Sequence, residues 1–124
     1  MTNLNEFQDY YYDLVLKKSL YVTIKSVDCY LELSNKGQEM SILTTICQGN
    51  SELKEVVLRQ QQYFRAQNLQ IDTRSKQLVI ARKFDFTKMS PDTFALKIAQ
   101  FHSDVLKCRN EIRSFEEEEV LVPR

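Results

Sequence analysis

Hydrophobic and polar positions change period several times along this chain, and each change marks an element. Leu4, Phe7, Tyr11, Leu14 and Val15 recur at three- and four-residue steps and predict a helix, with Asn3 as its cap and Glu6 in the capping-box position. From Leu20 the period falls to two: Leu20, Val22 and Ile24 alternate with Tyr21, Thr23 and Lys25. A second strand is expected from about Cys29 to Leu33, and a third from Met40 to Gln48, with Ser34–Gln38 turning between them and Gly37 free to adopt positive φ. In the third strand Met40, Ile42, Thr44 and Ile46 share one face, and Leu43 and Cys47 the other. Helical spacing returns over residues 52–68 through Leu53, Val56, Val57, Gln60, Tyr63 and Phe64. A hairpin follows, turning at Arg74–Lys76: Leu69, Ile71 and Thr73 alternate in one strand, while Leu78, Ile80, Phe84 and Phe86 share a face of the next, opposite Val79 and Ala81. The last helix starts at Ser90 as N-cap, with Pro91 in the first position and Asp92 beside the positive helix end. Its stripe is Phe94, Ile98, Phe101, Val105, Cys108 and Ile112.

The element order is thus α-β-β-β-α-β-β-α, an α+β fold in which an antiparallel twisted sheet packs with three helices. Two places carry more apolar surface than a single core face requires. The first helix adds Tyr10, Tyr12 and Leu16 to its stripe, and the sheet has Leu43, Cys47, Val79 and Ala81 opposite its main face. Such excess points to a protein partner, the alternative being that a helix covers the second sheet face.

Composition narrows the class. A chain of 124 residues suits one domain, here expected to span residues 1–115. Residues 116–124 read as a solvated acidic tail, whose last four residues, Leu121–Arg124, match the pattern thrombin recognises and are read as a processing scar. The formal net charge is zero, so nothing favours nucleic acid by bulk charge. Neither a signal peptide nor a membrane-length apolar run is present, which excludes membrane insertion as an expectation. The three cysteines, Cys29, Cys47 and Cys108, lie within apolar patterns and read as reduced, buried and replaceable.

The motifs of catalysis are missing. There is no nucleophile elbow, and the two glycines cannot form a phosphate-binding loop. Three scattered cysteines and one histidine do not make a zinc site. His102 stands just off the core stripe and reads as structural; Asp85 and Asp92 are accounted for by a turn and a helix start. Tyr10, Tyr11 and Tyr12 point three ways on a helix among Glu6, Asp9 and Asp13, which suits no base-stacking platform. The chain is therefore read as a non-enzymatic binding module without a cofactor.

At this level the sequence resembles the class I type III secretion chaperones, the Tir-chaperone (CesT-like) family. Three features carry the likeness: the element order, the stretch Gln77–Phe86 with its basic-aromatic ending, and the acidic helix start at Ser90-Pro91-Asp92 before a long apolar helix. The stretch Leu53–Leu69 is similar to that family's second helix and its exit into a strand. Unlike typically acidic members, this chain is near neutral, with a sequence pI of about 6.6. The resemblance implies a cytoplasmic bacterial homodimer that holds the N-terminal region of a secreted effector, a virulence protein, in extended form. It puts the dimer interface on the second helix, with Leu53, Val57, Leu58, Gln61 and Phe64 as candidates. For the effector, the apolar excess offers Tyr12, Val15, Leu16, Leu43, Val79 and Ala81. The competing readings are a small α+β trafficking or scaffold adaptor and a small-ligand binder, which a deep polar pocket would support.

Overall fold

The computed structural model describes the backbone of residues 4–48, 51–72 and 77–121, and side chains within 6–46, 55–71 and 77–114. The elements run α1 (Leu4–Lys17), β1 (Ser19–Ile24), β2 (Val27–Leu33), β3 (Glu39–Gln48), α2 (Ser51–Arg59), α3 (Gln61–Ala66), β4 (Leu69–Asp72), β5 (Gln77–Asp85) and α4 (Pro91–Leu121). The five strands form one sheet in the order β1-β2-β3-β5-β4. This is the α+β architecture the periodicity predicts, and it departs from it in one element. The helix expected over 52–68 is two helices, because Gln60 leaves helical geometry at φ −110, ψ 35. No apolar side chain lies between Leu58 and Tyr63 to hold that turn against a core.

The expected single domain divides into two compact units, Met1–Thr44 with Ala81–Ser103, and Thr45–Ile80 with Asp104–Arg124, so β3, β5 and α4 each contribute to both. In the first unit, hairpin pairing fixes which residues face inward. Val22 lies opposite Cys29 and Ile24 opposite Val27; Cys29, Leu31 and Leu33 lie opposite Thr44, Ile42 and Met40. All of these residues are buried. Helix α1 packs towards β1 and β2, burying Phe7 and Leu14. Tyr11 locks it further: its ring stacks on Phe86 at 5.3 Å, meets Phe94 edge-on at 5.6 Å, and its hydroxyl donates to the Met89 carbonyl at 3.3 Å. The Gln8 amide donates to the Asp92 carboxylate beside it.

Capping sets the element ends. Lys18 takes φ 69 after α1, and its N–H closes on the Leu14 carbonyl at 2.8 Å, an αL cap built without glycine. Asn68 after α3 takes φ 54, a conformation Asn tolerates, and its N–H donates to the Arg65 carbonyl at 3.1 Å. Gly37 carries φ 68 in the β2–β3 turn, where Ser34 Oγ accepts the N–H groups of Gln38 and Glu39. The α4 start follows the sequence reading: the Thr93 N–H donates to Ser90 Oγ at 3.1 Å, with Pro91 first in the helix.

In the second unit, Ile46, Val56, Phe64, Leu69, Leu78 and Ile80 are buried, along with Val105, Cys108 and Ile112 from α4. The whole predicted α4 stripe is buried, and the helix backbone continues through the acidic run to Leu121. Thr73–Lys76, Gly49–Asn50, Asn3 and Val122–Arg124 lie outside the described residues, as does the Cys47 side chain.

The tight turn between β1 and β2 places Lys25 at φ 46 and Ser26 at φ 71, the signs of a type I′ hairpin. A side chain at the second position is strained, so Ser26→Gly is expected to stabilise the fold by about 0.5–1 kcal/mol. The measurement is urea unfolding: the midpoint rises while the slope stays unchanged.

Candidate functional site

On β1–β3 the residues opposite the core, Tyr21, Thr23, Asp28, Glu32, Glu39 and Leu43, are exposed, so in the first unit no helix covers that face. Three of its residues form a row across the strands. Tyr21 pairs with Tyr30, and Tyr30 with Leu43. The two tyrosine rings are tilted at a centroid distance of 4.6 Å, and Tyr21 is 82% exposed. Burial and then the neighbouring Glu32 carboxylate hold the Tyr30 phenol above its ordinary pKa, partly offset by the Ser19 hydroxyl.

Helix α1 presents a second apolar surface. Tyr12 is 61% and Leu16 79% exposed, and Val15 is exposed beside them. Spacings of three and four put these side chains on one side of the helix, away from Phe7 and Leu14. The rest of the predicted binding set divides by unit. Leu43 is exposed and Ala81 half-buried in the first, while Val79 is half-buried in the second. Leu43 stands on the sheet face opposite the core residues that β1–β3 bury, whereas α1 buries Phe7 and Leu14. Within the first unit the α1 positions and Leu43 thus lie on separate surfaces.

Of the predicted interface residues, Leu58 is 66% exposed, Gln61 is exposed and Val57 half-buried. Phe64 is 3% exposed, with its ring edge-on to Tyr63 at 5.9 Å. The side chain of Leu53 lies outside the described residues. Tyr21 and Tyr30 are absent from the sequence-derived set. Their signal was a Lys25–Ser26 turn, which fixes Tyr21 opposite Tyr30, whereas the second strand was read to begin only near Cys29.

Tyr63 sits well above its ordinary pKa through burial, a hydrogen bond with the Cys108 thiol, and the nearby Glu111 carboxylate. Cys29 and Cys108 are buried and stand in no disulfide. Among the described residues no cluster of His, Cys, Asp or Glu is placed to hold a metal ion, and no helix is long and apolar enough to cross a membrane.

No family model matches the chain, and no curated protein matches it. Among solved structures it is similar to a chain of the HopA1–SchA chaperone–effector complex, at 8% identity, covering 92% of this chain and 99% of that chain with a TM-score of 0.56. It is also similar to a chain of the ExsC–ExsE complex, at 8% identity, covering 86% of this chain and 87% of that chain with a TM-score of 0.55. At this identity the likeness is one of fold: an antiparallel five-stranded sheet with helices, in the α+β class.

One turn of this fold titrates in an accessible range. The Asp85 carboxylate accepts the Thr87 hydroxyl at 2.6 Å and the Thr87 N–H at 3.0 Å, which hold its pKa below the ordinary value; Lys88 adds to this. A depressed carboxylate contributes stability that is present above its unfolded value, about pH 3.9, and is lost as pH falls through the lower folded value. Thr87→Val removes the hydroxyl donor. The Asp85 midpoint, followed by carbon NMR of the carboxyl group, is expected to move up towards the ordinary value.

Proposed function

We propose that this chain is a type III secretion chaperone: a non-enzymatic bacterial protein, cytoplasmic and homodimeric, that holds the N-terminal region of a secreted effector extended and soluble. The observation that carries the reading is the exposed triad Tyr12, Val15 and Leu16 on a helix already anchored by Phe7, Tyr11 and Leu14. Apolar surface that folding does not use is what an unfolded client requires. The fold likeness to structures of chaperone–effector complexes supports the same reading. Leu43, Val79 and Ala81 are proposed as additional contacts, and Leu53, Val57, Leu58 and Gln61 as the dimer interface. No nucleotide, metal or other cofactor takes part.

The physical logic is that of an extended segment dropping side chains against apolar positions, its ordering cost offset by the area removed from water. Burying one leucine side chain contributes about 1.5–3 kcal/mol, so loss of a single anchor weakens binding by about ten- to a hundredfold. The test is Val15→Asp or Leu16→Asp, with circular dichroism to establish folding and titration against the product of the adjacent open reading frame. Folded variants are expected to lose that affinity; binding at full strength would remove α1 as the effector site.

Dimerisation has its own measurement. Light scattering at micromolar concentration is expected to give twice the chain mass, and Leu58→Asp is expected to give the mass of one chain. A monomer mass for the unaltered protein overturns the interface.

A further inference from the structure

The exposed face of β1–β3 differs in chemistry from the α1 triad. Tyr21, Tyr30 and Leu43 form its apolar row, and Asp28 and Glu32 stand two residues to either side of Tyr30 on the same face of β2. Glu32 lies close enough to the Tyr30 phenol to raise its pKa, and Asp28 accepts the Thr23 hydroxyl at 2.7 Å. The described ion pairs, Arg59–Glu55 and Lys83–Glu39, involve neither of them. Two aromatic ring faces between two carboxylates complement one kind of side chain in particular: a planar cation, which can lie over a ring while its N–H groups reach a carboxylate.

We infer that the outer face of β1–β3 is a second docking surface, and that its occupant is an arginine, flanked by aliphatic residues, in an extended segment of the partner protein. The guanidinium lies over Tyr21 and Tyr30 and donates to Glu32 or Asp28, while a neighbouring aliphatic side chain covers Leu43. This rests on the reading of the chain as a holder of extended segments, but uses a face separate from α1. Arginine is favoured over lysine because its planar fork matches both ring and carboxylate.

The test uses fluorescence anisotropy with labelled decapeptides of alternating residues: arginine–valine, lysine–valine and glutamate–valine. The arginine peptide is expected to bind more tightly than the lysine peptide, the glutamate peptide not at all, and added salt to weaken binding. Tyr21→Ala and Glu32→Gln are each expected to lower affinity for the arginine peptide about three- to tenfold, the scale of an exposed cation–π or ion-pair contact. Both positions are exposed, and circular dichroism checks that each variant folds. Equal binding of the glutamate peptide, or unchanged affinity in both face variants, overturns the inference while leaving the α1 site standing. If light scattering shows that Tyr21→Ala turns a dimer into a monomer, the face is an interface between copies of this chain and the inference fails. Loss of the adjacent gene product's binding in Leu16→Asp, read separately, bears only on the α1 site.

Discussion

The pairing register of β1, β2 and β3 is the constraint on which the first unit depends. A slip of one residue would turn Val22, Ile24, Cys29, Leu31, Ile42 and Met40 outward and bring Tyr21, Asp28, Tyr30 and Glu32 into the core. Burying those carboxylates without partners would cost several kcal/mol each, so the alternation itself excludes the neighbouring registers. The turns then have little freedom. Lys25 and Ser26 both accept positive φ because the strands around them are pinned by burial, and Gly37 takes the one position in the next turn where a side chain would be strained. Helix α1 reads the same register from outside: its αL cap at Lys18 turns the chain directly into β1, and the Lys18 carbonyl accepts the Leu33 N–H at the far end of β2.

A sheet whose one face carries the core leaves its other face to be explained. On β1–β3 the described residues of the second face are largely exposed and not uniformly polar. That face holds a tyrosine pair and a leucine among carboxylates, while α1 separately exposes Tyr12, Val15 and Leu16. Single exposed apolar residues are ordinary on any protein surface. Three on one side of a helix whose anchoring residues are elsewhere are not required by the fold, and that distinction separates the candidate surface from background.

Strands and the last helix were legible because their apolar residues occupy one phase. Every residue of the Phe94–Ile112 stripe is buried, and the alternation in β3 is reproduced position by position through Ile46. Helix α1 was not legible in phase, since Phe7, Tyr11 and Leu14 on the anchored side and Tyr12, Val15 and Leu16 on the free side together surround the helix. Only the tertiary partners of Tyr11, namely Phe86, Phe94 and Met89, decide which side turns inward, and they lie far away in sequence. The break at Gln60 was hidden for a related reason. Apolar spacing resumes at Tyr63 in helical phase, so the pattern reads continuously across a turn that packing does not support.

The two surfaces of the first unit suit different parts of one task. Apolar contact at Tyr12, Val15 and Leu16 is non-directional and roughly proportional to area, so it tolerates many side chains and little geometry. A tyrosine pair beside carboxylates discriminates by charge and planarity. On the proposed reading, the tolerant surface supplies affinity and the directional one register. Neither can draw on side chains that the β1–β3 register has already committed to the core.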